Sequence, residues 1–245
     1  MYDLEERRRA VGLVAAGNSL SAVSRMTGIS RFAVREWCER IEPKRRDPEC
    51  TGRSSGPAYA YLLGLYLGDG CISPQPRGGY ALRIACADSW PGLIDACEEA
   101  MRAVRPSNSV CRVHTRGCTM VTSYSSHWPC LFPQHGPGRK HERRIVLHPW
   151  QQAVVDAQPW DFLRGLIHSD GSRATNRITR NVAGGTRHYE YPRYFFTNRS
   201  EDIRRLCTDT LDAVGVAWRR TNAWNISVAR REAVALMDRF IGPKY

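Results

Sequence analysis

The length, composition and charge of the chain already limit what it can be. Its 245 residues, of which 42% are hydrophobic, can bury a sizeable core and predict one large domain or two unequal ones. A formal net charge of +12 favours a polyanionic partner, and nucleic acid is the first expectation. The longest apolar run, near Leu62–Leu67, is too short to span a bilayer, and the nine cysteines contain no CxxC pair of the usual zinc spacing. With no membrane role and no apolar leader, we expect a cytoplasmic protein.

Residues 1–40 carry the apolar spacing of three short helices. Glycines at Gly17 and Gly28 separate the segments, and a serine at the head of the third segment is a good N-cap. The segment Leu20–Trp37 resembles the DNA-binding helix-turn-helix of transposases and site-specific recombinases. The resemblance implies that three side chains point into a major groove, namely Ser30, Arg31 and Arg35. A small helical bundle that binds protein, or that caps the next domain, is the alternative.

Residues 41–57 have the composition of a basic, flexible linker. Their prolines, glycines and serines leave little that can pack. The basic run Lys44, Arg45 and Arg46 either follows a phosphate backbone or is simply solvated. We therefore predict a tether between the small N-terminal domain and the rest of the chain.

Two nine-residue stretches dominate the remaining sequence. Residues 62–70, LLGLYLGDG, return as residues 163–171, LRGLIHSDG, and each stretch is a short apolar helix that ends in an acid and a glycine. Small residues spaced by four lie on one face of each helix and allow a close approach of two helix backbones; they are Gly64, Gly68, Gly165 and Ser169. If the helices pack on each other, Asp69 and Asp170 lie side by side, where they must share a cation or a proton. A single stretch would be most simply a core helix with a C-cap glycine, but two copies favour a shared site.

The doubled stretch resembles the signature helices of LAGLIDADG homing endonucleases in their single-chain form. Asp69 and Asp170 match the acidic position before the last glycine, whereas Leu67 and His168 depart from the family at its other, more variable acid. The resemblance covers roughly the last four fifths of the chain. It implies metal-dependent hydrolysis of both strands of a long duplex DNA site.

The order of helix-like and strand-like segments after residue 57 repeats once. We predict an α+β fold with two pseudo-symmetric αββαββα halves, residues 58–140 and 159–245, joined by a linker at 141–158. The resemblance implies that two curved antiparallel sheets form a saddle along the major groove of DNA. Arginines in strand-like segments are the candidates for base or phosphate contact: Arg83, Arg112, Arg173, Arg177, Arg193 and Arg219. A register slip of one residue would turn any of them to the other face.

Each half ends with Gly-Pro and then a lysine. Lys140 and Lys244 follow short apolar helices in a chain that has only three lysines. We expect these two to act as catalytic residues that supply positive charge near each scissile phosphate. The alternative is a pair of lysines on solvated surface loops.

The expected metal site uses oxygen ligands from both signature stretches. The carboxylates of Asp69 and Asp170, with the backbone carbonyls of Gly68 and Ser169, are expected to hold Mg²⁺ or Mn²⁺, because hard cations prefer oxygen ligands. We expect a monomer with internal pseudo-twofold symmetry, bound to double-stranded DNA. Two alternatives stay open: a DNA-binding transcriptional regulator of the same fold that does not cut, and an RNA maturase that helps an intron fold. The retention of both acids favours the nuclease.

Overall fold

The computed structural model describes residues 2–41, 54–76, 78–182, 185–242 and 244–245. The chain divides into two compact units, residues 1–49 and 50–245. Most of the predicted linker, including its basic run, lies outside the described residues. Among the helices of the described ranges, none combines the length and the apolar character that a membrane crossing requires.

The first unit contains three helices around a small apolar core. They are α1 (Leu4–Ala15), α2 (Leu20–Thr27) and α3 (Arg31–Glu39), and each begins after a side chain that accepts a backbone N–H, namely Asp3, Ser19 or Ser30. Gly28 ends α2 at φ +71°, a left-handed conformation that glycine adopts without strain. The core consists of Ala10, Val23, Ile29, Val34 and Trp37. Phe32, which the helical spacing places partly inward, is instead 77% exposed.

The second unit shows the predicted α+β repeat. The first half comprises α4 (Pro57–Asp69), β1 (Gly70–Pro74), β2 (Tyr80–Ala87), α5 (Pro91–Val104), β3 (Val110–Thr115), β4 (Cys118–Ser125) and α6 (Trp128–Leu131). Between the halves lies α7 (Pro149–Ala157). The second half comprises α8 (Pro159–Asp170), β5 (Gly171–Val182), β6 (Gly185–Thr197), α9 (Glu201–Ala213), β7 (Arg219–Arg220), β8 (Asn225–Val228) and α10 (Arg231–Phe240). The expected element order is therefore confirmed.

Each half forms one four-stranded antiparallel sheet. The strand orders, β1-β2-β4-β3 and β5-β6-β8-β7, are the same in the two halves. Alternate strand residues face the helices and enter the core, such as Leu82 and Ile84 on β2 and Tyr194 and Phe196 on β6. We call the opposite side of each sheet the polar face; it carries, for example, Arg83 of β2.

The helices α4 and α8 pack closely along a seam of small residues. A Cβ atom added to Gly64 would lie 2.5 Å from the carbonyl oxygen of Phe162 and 2.7 Å from the amide nitrogen of Leu166. A Cβ atom on Gly165 would overlap the carbonyl oxygen of Tyr61, and one on Gly68 would overlap the side chain of Ser169. All four small residues named from the sequence thus lie where the two helix backbones touch. No larger side chain fits at the three glycines without a shift of the backbone.

Candidate functional site

The seam brings the C-terminal ends of α4 and α8 together, and with them the two acids. A Cβ atom on Gly68 would lie 3.1 Å from Oδ2 of Asp170, so this carboxyl group lies against the end of the other helix. The glycine after each acid is also close-packed. A Cβ atom on Gly70 would lie 2.6 Å from Cα of Tyr66, and one on Gly171 would lie 2.7 Å from Cα of Ile167. Each half therefore turns from helix to strand directly after its acid only because glycine follows.

Both acids have raised pKa values, and the charge of Asp69 acts on Asp170. Burial raises the pKa of Asp170 to about 6, and the negative charge of Asp69 adds to this rise. Asp69 is exposed on one side, but partial desolvation still raises its pKa, against the opposing effect of Lys140 and Lys244. Two neighbouring carboxylates with raised pKa values are stabilised by a proton or by a cation.

The two lysines occupy equivalent places at the two helix ends. Lys140 donates from Nζ to the carbonyl oxygens of Leu67 at 2.9 Å and Gly68 at 2.7 Å, and also to that of Tyr66. The last carbonyls of a helix have no partner within the helix and attract cations. Burial lowers the pKa of Lys140 to about 8, although both acids oppose this shift.

Lys244 repeats this arrangement at α8. Its Nζ donates to the carbonyl oxygens of Ser169 at 3.2 Å and Gly171 at 2.5 Å. Burial lowers its pKa, and the charges of both acids act in the opposite direction. The sequence symmetry of the lysines thus corresponds to a symmetry in space, with one ammonium group at each helix end.

The carbonyls expected to bind metal already have hydrogen-bond donors. Gly68 O accepts from Lys140 and Ser169 O accepts from Lys244. The carboxylates therefore provide the more available oxygen donors of the site, and a cation on these carbonyls has to displace an ammonium group from each. Within the described ranges, no three His, Cys, Asp or Glu side chains gather where a metal could bind. The two carboxylates fit a hard cation whose remaining ligands are carbonyls, water or phosphate oxygens.

Asn198 contacts Asp170 and was missed by the sequence analysis. Its Nδ2 donates to Oδ2 of Asp170 at 2.5 Å, while its Oδ1 accepts from the backbone N–H of Ser200 at 2.8 Å. The second bond fixes the orientation of the amide, so the group that faces the carboxylate is a donor. The backbone of Asn198 is also held, since its N–H donates to the Trp224 carbonyl and its carbonyl accepts from Arg204. This network lowers the pKa of Asp170 against the effect of burial.

The first half has a different residue at the equivalent position. Gly70 pairs with Ile84, and Gly171 pairs with Phe196, so Cys86 is the counterpart of Asn198. Cys86 is buried, and its thiol is hydrogen-bonded to Cys97. A thiol is a weaker donor than an amide. The two acids therefore differ in their immediate surroundings although the backbone around them is symmetric.

A cavity of about 290 Å³ opens beside Asp170 and draws on both halves. It is lined by Leu67, Gly68 and Lys140 of the first half, by His141 at the start of the linker, and by Asp170, Thr197, Asn198 and Arg199 of the second half. The sequence analysis named neither His141 nor the three residues 197–199 as site residues. The place of Asn198 beside the acid follows from the β5–β6 register, which pairs Phe196 with Gly171.

His168, at the position where the chain departs from the family's second acid, is buried in the seam. Its Nδ1 lies 3.0 Å from the hydroxyl of Tyr61, and the two rings meet edge to face. Burial lowers the pKa of His168 to about 4. The imidazole is therefore neutral at pH 7 and packs between the halves.

The register separates the predicted strand arginines into two groups. Arg83, Arg193 and Arg219 lie on the polar faces. Arg112 and Arg173 lie on the helical side, and Arg177 lies on the face of its hairpin that continues this side, so the face expected for these three was wrong. Arg112 pairs with Asp95 at 2.7 Å and Glu98 at 2.6 Å, and Arg173 pairs with Asp238 at 2.6 Å. Their charges are matched by carboxylates of neighbouring helices.

The remaining candidates for nucleic-acid contact are exposed. Arg177 is on β5, and its side chain, 80% exposed, pairs with Glu190 at 2.8 Å. In the first unit Ser30 and Arg31 lie at the N-terminal end of α3, Arg35 lies one turn further along, and all three side chains are exposed. The Ser30 hydroxyl accepts from the backbone N–H of Ala33 at 3.2 Å and is thus the helix cap.

Comparison with known proteins gives distant likenesses. No family model matches the chain. Uncharacterized protein MJ0398 of Methanocaldococcus jannaschii is 23% identical over 159 residues, which cover 64% of this chain and 54% of that protein. This chain thus spans about half the length of that relative.

Solved structures with similar folds include homing endonucleases. Mesophilic variants of the homing endonuclease I-DmoI match with a TM-score of 0.48 and 15% identity, over 76% of this chain and 95% of that one. I-DmoI in complex with DNA and Ca has a TM-score of 0.47 and 14% identity, over 75% and 88%. The LAGLIDADG meganuclease I-AabMI bound to uncleaved DNA has a TM-score of 0.48 and 11% identity, over 74% and 82%. TM-scores below 0.5 at such identities do not establish membership of a family.

Proposed function

We propose that the chain is a site-specific, metal-dependent DNA endonuclease of the LAGLIDADG type, which hydrolyses both strands of a duplex site. The observation that carries this proposal is the meeting of Asp69 and Asp170 at the paired ends of α4 and α8. Core packing alone requires glycine at the seam, but it does not require an acid at the end of each helix. Because both acids belong to one chain, we propose that a monomer suffices.

The donor set favours Mg²⁺ or Mn²⁺, held by the carboxylates of Asp69 and Asp170 and by the carbonyls of Gly68 and Ser169. When bound, such a cation supplies an activated water and neutralises charge on the phosphate. A cation at the two carbonyls requires the ammonium groups of Lys140 and Lys244 to shift. Phosphate oxygens of bound DNA are the natural acceptors for these groups, so each lysine would stabilise charge on one scissile phosphate.

The amide of Asn198 has a positioning role in this scheme. It donates to Asp170 and so favours the ionised carboxylate over the protonated one. The ionised form is the one that binds a cation, because proton and metal compete for the same oxygen. Cys86 offers Asp69 no equivalent amide, so the two carboxylates would differ in their affinity for a cation.

The proposed DNA surface consists of the polar faces of the two sheets. Arg83, Arg193 and Arg219 lie on these faces, and the net charge of +12 supports a polyanionic partner. We further propose that α3 of the first unit contacts DNA through Arg31 and Arg35 near its N-terminal end. These contacts would add to the affinity of the two sheets.

Cleavage of selected DNA tests this proposal. Duplexes that bind the chain are isolated from a randomised library in EDTA, and are then incubated with protein and Mg²⁺ or Mn²⁺. We expect the wild type to cut both strands, and Asp69→Asn and Asp170→Asn to bind the same duplexes without cutting. Cleavage by both variants contradicts the roles of the acids. Binding by the wild type without cleavage in either metal instead establishes a DNA-binding regulator, which the three-helix first unit also suits.

A further inference from the structure

The two halves differ most in the length of their first hairpins. β1 and β2 form five residue pairs, from Gly70–Ile84 to Pro74–Tyr80, whereas β5 and β6 form twelve, from Gly171–Phe196 to Val182–Gly185. The seven additional pairs extend the second hairpin by about 24 Å, at about 3.4 Å per residue. We call this extension, residues 176–182 and 185–191, the distal ribbon.

The distal ribbon has no apolar core of its own. Among the ribbon side chains that the structure describes, none belongs to the core cluster, and they are exposed or half-buried on both faces. A two-stranded hairpin without a covered face is at best marginally stable in water. The ribbon contains Ile178, Val182 and two tyrosines, but most of its residues are polar or basic, with three arginines and one acid, Glu190. This charge suits a polyanion.

The two faces of the distal ribbon differ in how their polar groups are satisfied. On the face continuous with the helical side, cross-strand partners pair with each other. Arg177 pairs with Glu190 at 2.8 Å, Thr179 with His188 at 3.1 Å and Thr186 with Asn181 at 3.1 Å. These side chains satisfy one another and leave few groups free for a ligand.

The other face of the distal ribbon continues the polar face of the sheet. From Arg193 it carries Tyr191, Tyr189 and Arg187 along β6, with Asn176 opposite Tyr191. The two tyrosine rings stack with centroids 6.1 Å apart at an interplanar angle of 10°. Within the described residues, the side chains of Asn176, Tyr191 and Arg187 make no hydrogen bond or ion pair with another side chain. This face therefore presents an amide, a hydroxyl and a guanidinium group that are available to a ligand.

We infer that the distal ribbon lies in the major groove of the bound DNA beyond the segment that the sheet itself covers. This inference rests on the proposed DNA binding, but not on cleavage. The major groove admits a two-stranded ribbon, and several DNA-binding proteins read bases with such ribbons. An added length of about 24 Å corresponds to about seven base pairs at 3.4 Å each. The bound site is thus longer on the side of the second half.

A shortened hairpin tests the inference. Residues 177–190 are replaced by Asn-Gly, which joins Asn176 to Tyr191 through a two-residue turn that suits antiparallel strands. Hydroxyl-radical footprinting in EDTA, on a duplex selected by the wild type from a randomised library, then measures the protected length. We expect an asymmetric wild-type footprint and, in the shortened protein, loss of up to about seven protected base pairs on the longer side only. An unchanged footprint overturns the inference.

Point variants separate the two faces and control for folding. Arg187→Ala with Asn176→Ala should weaken binding to the selected duplex by about 30-fold, since each of the two removed base or phosphate contacts contributes about fivefold. Thr179→Ala with His188→Ala, on the self-paired face, should change affinity less than twofold. Equal losses from the two pairs contradict the inference. Because footprints are recorded without metal, DNA binding and DNA cleavage are tested separately. An asymmetric footprint from a protein that never cuts refutes only the proposed nuclease activity. A symmetric footprint from a protein that cuts refutes only the proposed placement of the distal ribbon.

Discussion

Replacement of Gly165 by alanine should force α4 and α8 apart. The new Cβ would overlap the carbonyl oxygen of Tyr61 and lie 2.9 Å from Cα of Gly64 and 3.0 Å from the amide nitrogen of Leu65. All three are backbone atoms, which cannot rotate away as a side chain can. Since ordinary carbon contacts lie at about 3.5 to 4.0 Å, the helices have to separate by about 1 Å. Overpacking typically costs 1 to 3 kcal/mol, and we expect a loss of about 3 kcal/mol in the free energy of unfolding.

Urea unfolding followed by circular dichroism measures this loss. The matched control is Gly12→Ala in α1, where an added Cβ meets nothing within 4 Å. That variant should be unchanged or more stable by up to about 1 kcal/mol, because alanine has the higher helix propensity. Gly165→Ala should also cut selected DNA about 100-fold more slowly, since a shift of 1 Å at the catalytic groups has effects of this size. A stability within about 0.5 kcal/mol of the wild type would refute the close packing from which the argument starts.

Three further predictions concern the charged groups. Lys140→Met and Lys244→Met should each slow the nicking of one strand more than the other, as measured with strand-specific end labels; full cleavage of both strands by both variants contradicts their catalytic role. The affinity of the DNA-free protein for Mn²⁺ should fall as the pH drops through about 6, because the carboxyl group of Asp170 takes up a proton there. Calorimetric titration measures this affinity, and Asp170→Asn should lack the pH-dependent step. Arg83→Ala should weaken DNA binding several-fold, whereas Arg112→Ala, whose charge is matched by carboxylates, should leave the affinity within about twofold; the reverse order would contradict the face assignment.

Much of the fold could be predicted because the chain repeats itself. The two signature stretches share their glycines and acids, and the strand-like segments follow in the same order in each half. The symmetric lysines, Lys140 and Lys244, also stand out in a chain with only three lysines, and the structure places each at the end of its signature helix. These features are local, or are visible as a repeat, and so they need no knowledge of strand register.

The features that the sequence did not reveal depend on register. Arg112 and Arg173 turn to the helical side because one residue of offset decides which face a strand side chain occupies. Asn198 reaches Asp170 only because twelve residue pairs return β6 to the end of α8, a length that no local motif encodes. The extra length of the second hairpin was equally hard to predict. A ribbon exposed on both faces has no continuous buried stripe to mark its extent, and most of its residues are polar.

Titration with Mn²⁺ tests most directly whether Asp69 and Asp170 act as one site. Calorimetry is performed at pH 7.5 on the wild type, on Asp69→Asn, on Asp170→Asn and on the double variant, each free of DNA so that no duplex is cut during the titration. If the two carboxylates share a cation, each single substitution lowers the affinity at least about tenfold, and the double variant is little weaker than the weaker single one. Wild-type affinity in both single variants would contradict the account, since the two acids would then bind no cation together.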